Sequence, residues 1–138
     1  MRAFIDTSSL FKKYVNEKGA DTFDTLLQSV SEIIIAPITL LEINSIIERR
    51  IREKRLNIAD ATWIEKEFMF DFGFYGVIEF NDHLISECIR VIRMYQMKVL
   101  DGIQLSSAII AKPDVFIVSD KQLYESAVKE LKRVEFVG

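Results

Sequence analysis

Cysteine, histidine, glycine and proline are all scarce in this sequence. Cys88 is the only cysteine, so one chain can form neither an internal disulfide nor a cysteine zinc site, and we expect a reducing compartment such as the cytoplasm. His83 is the only histidine, which leaves no histidine cluster for metal binding or for a catalytic triad. With five glycines and two prolines among 138 residues, the composition is that of a globular chain rather than a collagen-like or disordered one.

Long apolar runs and a strong net charge are absent too. The run IIIA at 33–36 is as long as any, whereas a transmembrane helix needs roughly 20 apolar residues. Asp6 interrupts the N-terminal apolar stretch, which argues against a signal peptide. The formal net charge is only −3, so the protein as a whole does not attract nucleic acid. Any binding of RNA or DNA would therefore depend on local basic patches.

What is present is an alternation of short apolar runs with segments of helical spacing. The apolar runs predict five buried strands, at 3–5, 33–36, 76–80, 115–118 and 134–137. The spacing predicts seven helices, at 10–15, 22–30, 38–54, 58–72, 84–95, 103–111 and 123–131. Apolar strands joined by helices are typical of a sheet covered on both faces. We therefore expect one α/β domain over residues 1–138, with three α/β/α layers and a central, mainly parallel five-stranded sheet.

Four acids fall where such a sheet binds its ligands, beyond the carboxyl ends of its strands. Asp6 follows the first strand, Asp120 follows the fourth, and Glu42 and Asp101 lie near the starts of two helices. Each acid also has a purely structural explanation, because carboxylates stabilise helix N-termini. The segment Thr39–Glu42 even matches a capping box.

Crowding distinguishes these explanations. Several anions at one edge repel each other unless a cation neutralises them. A carboxylate cluster without histidine or cysteine favours hard divalent ions, Mg²⁺ or Mn²⁺, over zinc. The four acids therefore predict a metal-dependent site rather than four separate helix caps.

Four segments carrying these acids resemble, in order, the motifs of the PIN-domain nucleases, in particular VapC-type toxin ribonucleases. The segments are FIDTSSLFKKYVNE, TLLEINSII, LDGIQLSSAI and VFIVSDKQLYESA. The resemblance spans nearly the whole chain and departs from the family at two places. Gln104 stands where the family often has histidine, and we expect it to supply a different hydrogen bond. Val118 stands where the fourth motif often has threonine, and the neighbouring Ser119 is the candidate substitute.

The resemblance implies a PIN-like fold and a catalytic, metal-binding role for Asp6, Glu42, Asp101 and Asp120. It makes Thr7, Ser8 and Ser119 candidate supporting hydroxyls. It further implies an endoribonuclease in which an ion-bound water attacks the phosphodiester and leaves 5′-phosphate and 3′-hydroxyl ends. RNA is implied as the substrate, a VapB-type antitoxin as a partner and a homodimer as the assembly.

Three surface features and two other functions stay open. The basic patch formed by Arg49, Arg50, Arg52, Lys54 and Arg55 is either a solvated face or a track for RNA phosphates. Separately, Lys12, Lys13 and Lys121 closely follow Asp6 and Asp120, and they either reach a bound RNA backbone or are solvated surface lysines. The aromatic cluster between Phe68 and Tyr75 is either core or a partner surface. The alternative functions are a PIN nuclease of RNA processing or decay, and a non-catalytic α/β regulatory module.

Overall fold

The protein folds around a five-stranded sheet in which every strand pairs in parallel. The structure, a computed structural model, describes residues 1–138. The strands are β1 (Arg2–Ile5), β2 (Glu32–Ile35), β3 (Gly76–Val77), β4 (Val115–Val118) and β5 (Val134–Phe136). The helices are α1 (Thr7–Phe11), α2 (Ala20–Leu27), α3 (Thr39–Arg52), α4 (Ile58–Phe72), α5 (Asp82–Tyr95), α6 (Val99–Ala111) and α7 (Lys121–Ala127). The predicted three-layer α/β/α fold is confirmed.

The sheet has one apolar core on each face, because successive side chains of a strand point to opposite sides. In β1, Ala3 and Ile5 join one core while Phe4 joins the other. Helices α1 to α4 contribute to the core that holds Ile5, and α5 to α7 contribute to the core that holds Phe4. Both faces of the central strands are thus fully buried, which explains why their sequences are apolar without alternation.

The order of the strands determines where a ligand site lies. They run β3-β2-β1-β4-β5 across the sheet. From β1 the chain first builds outward through β2 and β3, and it then returns to place β4 on the other side of β1. The carboxyl ends of β1 and β4 therefore meet at the topological switch point, where parallel α/β sheets bind ligands. Asp6 follows one of these strands and Asp120 follows the other.

Many predicted boundaries differ from the structure by a few residues, and three of these differences have a local reason. Helix α1 begins at Thr7 rather than at position 10, because Asp6 caps it directly. Helix α6 begins at Val99, so Asp101 lies inside its first turn rather than at its start. Strand β3 ends at Val77 instead of continuing to 80. It is an edge strand, so it has pairing partners on one side only.

The aromatic cluster divides between core and surface. Phe68 is buried, whereas Phe70 and Phe74 are 68% and 75% exposed, and their rings lie 5.5 Å apart. Trp63, which lies in α4 with Phe68 and Phe70, is also exposed. The cluster thus supplies both core and exposed side chains, so neither of the two interpretations accounts for all of it. None of the seven helices combines the length and the apolar character that crossing a bilayer requires.

Candidate active site

Asp6 is a buried carboxylate at the switch point. It ends β1 and caps α1, where its Oδ1 accepts a hydrogen bond from the Ser9 amide at 2.8 Å. Its Oδ2 accepts from the Ser119 amide at 3.2 Å. Burial raises the pKa of Asp6 to about 6, although these hydrogen bonds partly oppose the shift, and the charge of Asp120 raises it further. The folded protein therefore holds this charge at a cost.

Asp120 lies beside Asp6 and also caps a helix. Its Oδ1 accepts from the Leu123 amide at 2.7 Å at the start of α7. The structural explanation of these two acids is thus correct, but it is incomplete. Asn57 and Asn81 cap α4 and α5 through the same kind of bond without any charge. Capping alone does not require a carboxylate, least of all a buried one.

Glu42 does not cap its helix, so the capping-box interpretation of 39–42 is wrong. Ile38 occupies the N-cap position of α3, and its side chain makes no capping bond. The Oε1 of Glu42 instead accepts hydrogen bonds from the Thr7 hydroxyl at 2.7 Å and from the Gln104 amide Nε2 at 2.8 Å. These bonds tie α3 to α1 and α6. Glu42 still lies in the first turn of α3, where its charge suits the helix dipole, but its hydrogen bonds join three elements instead of capping one.

Gln104 is a site residue that the four-acid pattern alone does not reveal. Its Nε2 donates to Glu42 and, at 2.9 Å, to the hydroxyl of Thr7, while its Oε1 is buried without a hydrogen-bond partner. Gln104 lies one turn after Asp101 in α6, so both side chains face the same edge. The signal in the sequence was its position in the third motif, where it departs from the family pattern.

Asp101 completes the group. It is half-buried in the first turn of α6. Burial raises its pKa, the charges of Asp120 and Glu42 raise it further, and Lys98 lowers it. Asp120 thus acts electrostatically on both Asp6 and Asp101, and Glu42 acts on Asp101. The four acids from four elements form one electrostatically coupled group.

The donor set suits a hard divalent cation. All four side chains offer carboxylate oxygen, and none of them forms a salt bridge with a lysine or an arginine. No three acidic, histidine or cysteine side chains are grouped closely enough to hold an ion together. At these positions an ion would contact one or two carboxylates. That number fits Mg²⁺, which usually keeps several waters and leaves room for substrate phosphate.

The hydroxyl groups divide between interior and surface. Thr7 is buried and donates to Glu42. The Oγ of Ser119 lies 2.7 Å from the Oγ of Ser9, next to the carboxylate of Asp6. Ser8 is exposed and forms no hydrogen bond through its side chain. Ser9 was not predicted as a site residue. Its position three residues after Asp6 was the available signal, because an N-cap side chain accepts a hydrogen bond from the amide at that position.

Two cavities flank the acids. One, of about 420 Å³, is lined by Thr7, Ser8, Glu42 and Arg49 together with apolar residues. The other, of about 520 Å³, is lined by Asp101 and by residues from the end of α5 and from α7. Leu100 borders the first cavity and its neighbour Asp101 borders the second. The first turn of α6 therefore separates two open spaces at the acidic edge.

The predicted basic residues do not form one surface. Lys12 is buried, where its Nζ donates to the Lys18 carbonyl and lies 3.7 Å from a carboxylate oxygen of Glu17. Arg50 donates to the same carboxylate at 2.9 Å and stacks over the ring of Phe11. These contacts correct the view of Lys12 and Arg50 as free RNA-binding cations, because both hold the interior together.

Three other cations in the prediction are more accessible. Lys13 is partly exposed but paired with Asp71. Arg49 is exposed, borders the smaller cavity and makes a long 3.8 Å contact with Glu53. Arg52 is exposed and forms no salt bridge. Of the predicted basic residues, Arg49, Arg52 and Lys54 are thus exposed without a close ion pair, and only Arg49 borders a cavity beside the acids.

Comparisons with known proteins agree with the observed fold. A family model described as PIN domain matches residues 3–129. A search of curated proteins found no match. Among solved structures, PAE2754 from Pyrobaculum aerophilum is 18% identical with a TM-score of 0.69, over 99% of this chain and 90% of that one. A toxin-antitoxin complex from Klebsiella pneumoniae is 16% identical with a TM-score of 0.65, over 88% and 89%. VapBC2 from Rickettsia felis, bound to a DNA fragment from its promoter, is 12% identical with a TM-score of 0.69, over 99% and 98%. At these identities the likeness shows a shared fold.

Proposed function

The chain belongs to the PIN-domain family of nucleases, and from this premise we propose that it is a Mg²⁺- or Mn²⁺-dependent endoribonuclease. The observation that carries the proposal is the coupled group of Asp6, Glu42, Asp101 and Asp120 at the switch point of the sheet. Four carboxylates without paired cations repel each other, and a divalent ion bound among them removes that repulsion. A non-catalytic regulatory module gives no reason for holding Asp6 buried and charged.

The chain's own residues divide the work. Asp6, Asp101 and Asp120 would offer the oxygen ligands, of which an ion would contact one or two directly and the rest through its waters. Thr7 and Gln104 hold the Oε1 of Glu42 at the carboxyl edge of the sheet, so the side chain stays in one rotamer and its Oε2 is positioned in advance. When bound, the ion supplies a water of lowered pKa and neutralises charge that develops on the leaving oxygen. Hydrolysis by water leaves 5′-phosphate and 3′-hydroxyl ends, and it needs no 2′-hydroxyl nucleophile.

We further propose that the protein is the toxin of a VapBC-type toxin-antitoxin pair that acts in the cytoplasm. One solved structure with the same fold is a toxin-antitoxin complex, and another is VapBC2. A VapB-type antitoxin would then be the partner that restrains the nuclease.

Exposed apolar side chains support protein partners. Trp63, Phe70 and Phe74 of α4 and the following turn are each more than half exposed. Large exposed apolar surfaces usually mark contacts with proteins. We assign this surface to the antitoxin or to a second copy of the chain, and sedimentation of the chain alone and with its antitoxin distinguishes the two.

The nuclease proposal is tested with the purified chain, free of any partner, and a 5′-labelled single-stranded RNA. We expect internal cleavage in Mg²⁺ or Mn²⁺ and none in EDTA. Asp101→Asn should lower the rate about a hundred-fold or more, because ion-dependent charge stabilisation contributes several kcal/mol. Asp82→Asn is the matched control, since Asp82 is also a first-turn acid but lies outside the site.

The outcomes separate the parts of the proposal. Equal cleavage by wild type and Asp101→Asn would show that the site is assigned wrongly. Equal cleavage of DNA with the same sequence would contradict the preference for RNA. Growth arrest upon expression, relieved by a co-expressed antitoxin, would support a toxin over a nuclease of RNA processing or decay.

A further inference from the structure

We propose that the 520 Å³ cavity beside Asp101 is a subsite for the nucleotide next to the scissile phosphate of single-stranded RNA. The inference rests on the proposed ribonuclease activity and adds a second binding region to it. We call this space the Lys98–Lys129 cavity, after the two cations that border it. Neither residue belongs to the four acidic motifs or to the basic patch at the end of α3.

The position of the cavity connects it with the chemistry. It lies between the end of α5, the first turn of α6 and helix α7. Asp101 is part of its wall, so a ligand in the cavity touches one of the four acids. The volume falls within the roughly 300–1,000 Å³ that is typical of small-molecule sites. A nucleotide can therefore occupy it while the adjoining phosphate reaches the acidic edge.

The cations of the cavity are free for a phosphate. Lys98 and Lys129 form no salt bridge, unlike Lys12, Lys13 and Arg50, which are paired inside the protein. Lys98 is also the N-cap of α6 and makes no side-chain capping bond, so the positive end of the helix dipole lies at this residue. An anion in the cavity does not have to break an existing ion pair. Glu125 is the one acid of the cavity outside the four-acid group.

The remaining walls suit a base. The ring of Tyr95 lines the cavity, and its hydroxyl donates to Glu130 Oε2 at 2.7 Å, which restrains the ring. The Nζ of Lys129 lies 5.7 Å from the centre of that ring. Gln96, Gln122 and Ser126 add hydrogen-bonding groups. Aromatic faces, amides and cations around one space are the means by which proteins hold unpaired nucleotides.

A strand has a continuous path across the site. The smaller cavity, with Arg49, opens on the other side of the first turn of α6. RNA that enters beside Arg49 passes the acids and leaves along Lys98 and Lys129. A protein partner fits this cavity less well, because the centres of protein interfaces are depleted of charged residues. The exposed aromatic side chains of α4 match the centre of a protein interface better.

The test compares wild type with Lys98→Ala/Lys129→Ala. The matched control is Lys66→Ala/Lys132→Ala, which removes the same charge from two exposed lysines outside both cavities. The probe is a fluorescent 12-nucleotide single-stranded RNA. Binding is measured by anisotropy in EDTA at several salt concentrations, and cleavage of the same RNA is measured in Mn²⁺.

We expect the cavity variant to bind RNA about ten-fold more weakly than the control variant. The slope of log affinity against log salt should fall by about 1.4, because each phosphate contact to a single strand contributes about 0.7. In cleavage, KM should rise more than kcat falls, since both lysines border the cavity and Lys98 also acts electrostatically on Asp101. Tyr95→Phe, which keeps the ring, should bind RNA like the control, and Tyr95→Leu should bind more weakly.

Equal binding and equal salt slopes for the cavity and control variants would overturn the subsite. A variant that loses affinity for a protein partner and not for RNA would overturn it too. The underlying ribonuclease proposal fails separately, when wild type does not cleave RNA in Mn²⁺. The binding measurement in EDTA does not depend on that result, so the two failures are distinguishable.

Discussion

Replacing Asp6 with asparagine should change how the stability of the protein depends on pH. Asp6 is only 4% exposed, and burial is the main cause that raises its pKa from 3.8 to about 6. Asparagine keeps the acceptor that caps α1, as Asn57 and Asn81 do for their own helices. It removes the buried charge without leaving a large cavity. The variant therefore isolates the cost of the carboxylate.

The sign follows from the direction of the shift. Between about pH 4 and pH 6 the folded wild type keeps the Asp6 proton that the unfolded chain has lost, so its stability falls as pH rises through this window. With about 1.36 kcal/mol per pKa unit, the loss between pH 4 and pH 7.5 is about 2–3 kcal/mol. The asparagine of the variant does not titrate, and it loses the bond from the Ser119 amide at about 1 kcal/mol.

The metal-free Asp6→Asn variant should then be less stable than wild type by about 1 kcal/mol at pH 4 and more stable by about 1–2 kcal/mol at pH 7.5. Urea unfolding in EDTA, followed by circular dichroism, measures both differences. Asp82→Asn, which removes an exposed first-turn acid, controls for net charge. If the free-energy difference between wild type and Asp6→Asn is the same at both pH values, the reasoning about a buried charge is wrong. Adding Mg²⁺ at pH 7.5 should stabilise wild type more than the variant.

Two further predictions concern the support of the site. Gln104→Met keeps the side-chain volume but removes the donors to Glu42 and Thr7, so it should lower Mn²⁺ affinity or RNA cleavage about 10–100-fold. Calorimetric titration and RNA cleavage assays measure these two effects. Unchanged values in both would contradict a positioning role for Gln104. Gly102→Ala should destabilise the fold by about 1–3 kcal/mol, because the added Cβ would lie 2.8 Å from Ile92 and 3.2 Å from the Cys88 sulfur. Thermal unfolding measures the change. An unchanged melting temperature would show that α5 moves away from the new methyl group at no measurable cost.

Much of the fold follows from local patterns. The apolar runs at 3–5 and 115–118 become β1 and β4 because both faces of these central strands need apolar side chains. The helix predicted at 58–72 has the observed bounds because Asn57 caps it and its core residues repeat at helical spacing. The prediction for β3 was too long, since the apolar pattern of an edge strand can continue past the residues that pair with the sheet.

The candidate site was predictable in composition but not in contacts. Asp6 and Asp120 each follow a predicted strand, which placed both at the carboxyl edge of the sheet, but only the strand order brings them together at the switch point. For Glu42 the sequence left a capping box open as a structural alternative, because TLLE matches one, and only the packing of three helices directs its side chain toward Thr7 and Gln104. The prediction for Lys12 failed for the same reason, since its ammonium points inward to the Lys18 carbonyl.

The sequence by itself determined the layered α/β fold and which acids follow its strands, because these depend on periodicity and on residue type, and it predicted a hard divalent ion from the oxygen ligands. Only the tertiary structure decided which hydrogen bonds each acid makes, which lysines are free and where the Lys98–Lys129 cavity opens. Those properties depend on distances between residues far apart in the chain. Side-chain direction and burial, which set pKa values and ion pairs, exist only after the elements have packed.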